Sequence, residues 1–215
     1  HYVDIDRLTY LDADLFFFDN PKAIYESTPK AAVLLSKHDY IKELEAIAKD
    51  VGRFNSGIIS FRNNSSGRSC LYWWKEKCMD WCFNTTVTGQ FGDQKYLEDM
   101  PILFKNVSII DVPGINIAPW NDSKFTFHKE DGKLYVDNNP LIVYHYCGFR
   151  VWNKGSCIFM FGNNYVPIIH KPYMKAIKKA INQVALVDPI FDGSFLEECN
   201  IGRFHIYSFD MIQNE

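Results

Sequence analysis

Apolar positions in the first third of the chain come in short, dense runs separated by turn residues, the pattern of buried strands rather than of long amphipathic helices. Residues 8–18, "LTYLDADLFFF", form the first run, and Asn20-Pro21 stops it. A helical turn is expected over 22–25 and a strand over 31–35. Residues 39–49 place Ile41, Leu44, Ile47 and Ala48 on one helical stripe, closed by Gly52. "FNSGIISFR" (54–62) reads as a strand, 63–67 as a loop and 70–82 as an aromatic-rich helix. A loop over 89–93 leads to a helix over 94–100, with Asp93 placed to cap it. A strand over 107–112 precedes the irregular stretch 113–121. Residues 125–128 and 133–136 flank Glu130-Asp-Gly132, a hairpin signal. Strands over 141–146 and 158–161 follow, then a helix over 171–187 with Pro172 in its first turn. Residues 188–202 read as loop and 204–209 as a closing strand or helix start. Mixed strands and helices predict one α/β domain over 1–215, with a mixed, mostly parallel sheet flanked by helices.

Composition narrows the classes. With 23 Lys+Arg against 26 Asp+Glu, the net charge of -3 offers no basic excess to a nucleic-acid backbone, so no nucleic-acid partner is expected. No run approaches the ~18 apolar residues of a membrane span. Aromatic residues make up 16% of the chain, which favours strands, stacking surfaces and a rigid pocket. Cys78 and Cys82 lack the second close pair that a zinc site would need, so the cysteines read as ordinary thiols.

Asp12 and Asp14 stand out inside the first apolar run. A buried carboxylate is costly unless partnered, and two on one side repel each other, so a positive group is expected between them. In a strand, residues two apart share a face and can reach one ion. Alternatively the strand breaks near Asp12 and the two carboxylates curl around the site. Hard oxygen ligands suit Mg²⁺ or Mn²⁺. The plainer reading is a strand edge with one capping and one solvent-facing aspartate.

"YLDADLFFFDNP" resembles the metal-binding Asp-x-Asp segment of GT-A type, sugar-nucleotide-dependent glycosyltransferases. Further segments match in order: "RFNSGIISFR" (53–62) is similar to the strand near the donor sugar, and "FGDQKYLEDMP" (91–101) to the Gly-Asp-Gln loop and following helix. "GINIAPWN" (114–121) and "YHYCGFR" (144–150) resemble the closing elements. The last is similar to the His-Tyr-x-Gly segment of bacterial family 8-like transferases that build surface glycans such as lipopolysaccharide or capsule. Where that family continues Lys-Pro-Trp, this chain reads Arg150-Val-Trp152.

The resemblance implies a GT-A (nucleotide-diphospho-sugar transferase) fold, incomplete at the N-terminus because the nucleotide-binding half would precede the aspartates. It implies Asp12, Asp14 and His145 as ligands of Mn²⁺ or Mg²⁺; by residue type alone His145 reads first as a packed strand histidine. Asp93 would bind donor hydroxyls or act as base, and Gln94 would reach toward the anomeric carbon. Asn55, Ser56 and Gly57 would meet the donor sugar. Trp120 would stack on it or join the core, beside Asn121, while Gly148 and Arg150 would sit near the diphosphate. Trp73, Trp74 and Trp81 read as helix packing. The expected activity is hexose transfer from a nucleotide-diphosphate sugar, a UDP-sugar by family, to a glycan or glycolipid hydroxyl. The alternative is a transferase-like domain without activity that binds carbohydrate or a partner. A cytoplasmic setting is expected, with Lys171, Lys175, Lys178 and Lys179 beside Met174, Ile177, Ile181 and Val184 as a face for peripheral membrane contact.

Overall fold

The computed structural model describes residues 4–87, 89–159, 165–193, 195–196 and 205–213. In chain order its strands and helices are β1 (Arg7–Leu11), β2 (Leu15–Phe17), α1 (Ala23–Glu26), β3 (Val33–Lys37), α2 (Ala48–Val51), β4 (Phe54–Arg62), α3 (Ser65–Asp80), α4 (Met100–Leu103), β5 (Val107–Ile109), β6 (Phe127–Glu130), β7 (Lys133–Val136), β8 (Asn139–Pro140), β9 (Val143–His145), β10 (Phe149–Asn153), β11 (Ser156–Phe159), α5 (Pro167–Val187) and β12 (Ile206–Ser208). The architecture is mixed α/β, but the strands lie in four separate sheets: β1-β4-β3-β5, β2-β9, β6-β7-β8 and β10-β11-β12.

The expected mostly parallel sheet is corrected. Within the largest sheet β1/β4 and β4/β3 are antiparallel, and β3/β5 is parallel. The reason lies between β3 and β4. A parallel crossover needs a helix with an apolar face to lay on the sheet. The stripe read over 39–49 does not supply one: it forms a 3₁₀ turn (Lys42–Ile47) followed by the single turn α2, and none of its residues is buried. The chain therefore doubles back at Gly52, whose φ of 102° suits the reversal.

The central strands are buried on both faces, so their sequences read as continuous apolar runs. Val33, Leu35, Ile59 and Phe61 pack under Cys70 and Trp74 of α3. Leu34 and Ile58 face the other way, onto Ile24 of α1 and Val143 of β9. The loop expected over 63–67 is instead the start of α3, capped by Asn64, whose side chain accepts from the Gly67 amide at 2.9 Å. Asp93 caps nothing; Gln94 precedes a 3₁₀ turn, Lys95–Glu98. Helix α5 opens at Pro167 and holds Pro172 in its interior. Met174, Ile177 and Ile181 pack into the core with Tyr146, Phe149 and Phe209, so most of the apolar side offered for a membrane is taken up. The strand read over 158–161 lies at 156–159, its last two residues falling outside the described ones, as do Cys199 and Phe204. Among the described residues no helix is long and apolar enough to cross a membrane.

His170 supports a prediction about stability. It is buried among the rings of Tyr144, Tyr146, Phe159 and Tyr165. Burial pulls its pKa down from 6.5 to about 4, against a hydrogen bond to Val166 that acts the other way. The unfolded chain takes up this proton first. Stability is therefore full above the ordinary value and is lost as pH falls through about 4. The interval corresponds to about 3 kcal/mol. Urea denaturation at neutral pH and near pH 4 should show His170→Gln losing about that much less than the wild type.

Candidate metal centre and its cleft

The apolar run breaks at Asp12. The Asp12 amide donates to the Gly57 carbonyl at 3.0 Å, and the Tyr146 amide donates to the Asp14 carbonyl at 2.8 Å. Between these anchors a turn carries the chain from β1, at the edge of the large sheet, into β2 of the small one. Of the two arrangements open to the pair, the carboxylates thus curl around a strand break. His145 lies opposite Leu15 in the β2/β9 register.

These elements bring Asp12, Asp14 and His145 together, with one ligand atom from each lying within 4.8 Å of the others. His145 Nε2 is 2.9 Å from Asp14 Oδ1 and 3.7 Å from Asp12 Oδ2. Its Nδ1 lies 3.3 Å from Asn116 Oδ1, while Asn116 Nδ2 donates to the Lys37 carbonyl at 2.9 Å. An amide oxygen only accepts, so Nδ1 carries the proton. Nε2 then either bears a second proton or aims a lone pair at a cation between the carboxylates. Two carboxylates plus an imidazole fixed from behind fit Mn²⁺ or Mg²⁺. Burial pushes the Asp14 carboxyl up, but the His145 hydrogen bond and charge, with Arg150, more than offset it and hold it below the usual range. Tyr10 donates its hydroxyl to Asp12 Oδ1 at 2.9 Å.

The neighbouring wall comes from a bulge in β4. Pairing with β3 jumps between Leu35↔Ile59 and Ser36↔Asn55. The intervening residues leave the ladder, a device common beside functional sites. Ser36 Oγ secures the bulge by donating to the carbonyls of Asn55 and Ile58 at 3.0 and 3.2 Å. Gly57 lies against the His145 ring so closely that a Cβ would sit 2.7 Å from Cε1. Asn55 Oδ1 accepts from the Gly57 amide at 3.1 Å.

Asp93 reaches the same place, hydrogen-bonded to Ser56; burial raises its pKa, Ser56 lowers it and Asp12 raises it again. Trp74 Nε1 donates to its carbonyl at 2.8 Å. Gln94 faces inward. It is 8% exposed, its Oε1 accepts from Asn55 Nδ2 and the Ser56 amide, both at 3.3 Å, and its Nε2 donates to the Val51 carbonyl at 2.8 Å. Asn121 is likewise internal: 2% exposed, it accepts from the Ala118 amide at 2.9 Å and donates to the His38 carbonyl at 2.8 Å. Both amides are held by internal hydrogen bonds beside the cluster.

Trp120 stands edge-on to His145, with ring centroids 5.1 Å apart, and to His38, 4.9 Å apart. Its indole Nε1 is buried without a hydrogen-bond partner among the described residues. Gly148, with φ of 78°, turns the chain after β9, and the exposed Arg150 follows, its charge felt at Asp14. Sequence reasoning passed over Tyr10, His38 and Asn116. Asn116 has a readable signal after the fact, since it takes a φ of 58° beside Gly114 in a segment rich in special residues.

No family model matches the chain. Two curated proteins of Bacillus subtilis (strain 168) are similar to it. YfnF is 38% identical over 199 residues, covering 88% of this chain and 66% of that protein. YfnD is 28% identical over 214 residues, covering 96% of this chain and 69% of that protein. Both are described as uncharacterized, and the chain spans about two thirds of the length of these curated relatives.

Proposed function

We propose that the chain carries the metal and donor-sugar site of a GT-A type glycosyltransferase. It would move a hexose from a nucleotide-diphosphate sugar, a UDP-sugar by resemblance, to a hydroxyl of a glycan or glycolipid. The observation that carries this reading is the convergence of Asp12, Asp14 and His145, with Asp93 near enough for the Asp12 charge to raise its pKa. A bound divalent ion supplies Lewis-acid stabilisation of the departing diphosphate. Arg150, exposed and close enough to act on Asp14, adds a fixed positive charge for the same oxygens. Asp93, held against Ser56 with its pKa raised chiefly by burial, accepts a hydroxyl proton more readily than an ordinary carboxylate. Gln94 holds Asn55 and Ser56 in place for the sugar, a positioning role instead of the direct one expected from the sequence. A surface-glycan acceptor and work at a membrane face remain part of the proposal through the resemblance alone.

The test is calorimetric titration of Mn²⁺ with and without UDP, followed by Mn²⁺-dependent hydrolysis over a panel of UDP- and GDP-sugars. Mn²⁺-dependent release of sugar from one donor is expected. Failure to bind Mn²⁺ with UDP and to turn over any donor would overturn the reading. Binding without turnover would leave a carbohydrate- or nucleotide-binding domain. Asp93→Asn is expected to lower turnover by about 10²-fold or more while leaving Mn²⁺ affinity within a few-fold of the wild type, as judged by the two assays side by side.

A further inference from the structure

Tyr10 stands beside the candidate metal centre, and its place follows from strand register. It lies opposite Ile59 in the antiparallel β1/β4 pair, so both side chains share the face of the sheet that α3 covers. There the Tyr10 ring meets Trp74 edge-on, with centroids 5.8 Å apart and planes at 81°. Trp74 is buried and leans on Phe61, 5.9 Å away at 27°. The aromatic pair thus rests on the core and offers one polar atom from each ring. The Tyr10 hydroxyl donates to Asp12 Oδ1 at 2.9 Å. Trp74 Nε1 donates to the Asp93 carbonyl at 2.8 Å.

Packing on Trp74 accounts for the ring of Tyr10 but not for its hydroxyl. Leu8 and Leu11 of the same strand are as exposed and carry no polar side-chain group, so exposure alone does not call for one here. The Asp12 amide is fixed to the Gly57 carbonyl, but the last torsion of an aspartate is broad and leaves the carboxylate free to turn. An ionised carboxylate accepts at both oxygens. With the phenol on Oδ1, Oδ2 is turned toward His145 Nε2, 3.7 Å away. Asp12 and Asp93 are close enough to feel each other's charge, so a change in the seating of one acid reaches the other. We propose that Tyr10 is a positioning residue of this centre. Its hydroxyl holds the Asp12 carboxylate in the orientation a cation needs, and its ring, wedged against Trp74, couples that carboxylate to the segment carrying Asp93. The proposal rests on the reading of Asp12 as a metal ligand.

The test compares Tyr10→Phe, which keeps the ring and removes the hydroxyl, with Tyr10→Ala, which removes both. Neighbours that orient a ligand are worth about 10- to 100-fold in metal affinity, so Tyr10→Phe should bind Mn²⁺ about tenfold more weakly or worse in calorimetry with UDP. Its thermal melt in EDTA should be little changed. Also in EDTA, its Asp12 ¹³C-carboxyl resonance should shift, a signature of the lost hydrogen bond that a packing role alone would not give. The Trp74 indole proton should exchange with solvent faster in Tyr10→Ala and at the wild-type rate in Tyr10→Phe. A Trp74 indole indifferent to Tyr10→Ala, or an Asp12 carboxyl indifferent to Tyr10→Phe, would overturn the proposal. A wild type that takes up no Mn²⁺ overturns the metal reading and this proposal together. Wild-type Mn²⁺ binding matched by Tyr10→Phe overturns this proposal alone.

Discussion

Asp14→Asn is expected to lower Mn²⁺ affinity by at least about 100-fold and to remove donor turnover with it. The neighbours that orient metal ligands are themselves worth about 10- to 100-fold in affinity, and a ligand carboxylate should exceed that. Asparagine keeps the shape and one oxygen but loses the charge that faces His145 Nε2 at 2.9 Å. The fold should survive. The substitution removes the attraction to His145 and at the same time relieves repulsion from Asp12, and Asp14 is partly open to solvent, so the two effects partly cancel. Calorimetry in the presence of UDP, paired with a thermal melt, separates binding from stability. Unchanged Mn²⁺ affinity would place the ion away from Asp14.

Gly57→Ala should damage both stability and the site. The added methyl would lie 2.6 Å from Asn55 Oδ1 and 2.7 Å from His145 Cε1. Neither neighbour yields cheaply. Asn55 is tied to Gln94, and the His145 ring is buried between Asn116 and Trp120. Overpacking of this kind costs about 1–3 kcal/mol, and the ring that must move is a proposed metal ligand, so Mn²⁺ affinity should fall in the same variant. Gly132→Ala is the matching control. Its Cβ meets nothing within 4 Å, but its φ of 80° is unfavourable for alanine, so it should lose about 1 kcal/mol with metal binding intact. Urea denaturation and Mn²⁺ titration on both variants distinguish steric damage at the site from backbone strain elsewhere. Equal metal affinity in Gly57→Ala and wild type would mean that the ring has room to move.

Local signals were legible where the determinants are local. The β4 strand is bounded by Gly52 and the Asn63-Asn64 pair, and it occupies the residues its apolar run suggests. The β6–β7 hairpin follows from Asp131-Gly132, both at positive φ. Sheet direction was not legible, because antiparallel pairing of β3 with β4 depends on what the intervening segment fails to bury. The stripe Ile41, Leu44, Ile47 and Ala48 has helical spacing but no surface to pack on. At the site, Asp12 and Asp14 were conspicuous by their cost in an apolar run. His145, far away in sequence, was tied to them by resemblance and not by spacing. Gln94 shows the limit most clearly: its type and place suggest a ligand contact, whereas its hydrogen bonds to Asn55, Ser56 and Val51 come from partners about forty residues away.

The turn from Asp12 to Asp14 is also the seam between two sheets, since β1 belongs to one and β2 to the other. Asp12 is anchored to β4 and Asp14 to the segment after β9. Without a cation, the two sheets are held together there by these two backbone hydrogen bonds and by the packing of Val143 on Leu34 and Ile58. A cation held by the three side chains, as proposed, would add a further tie between the two sheets, and opening either one would first have to release it. Loading should then slow hydrogen exchange at amides of β2 and β9 that touch no ligand.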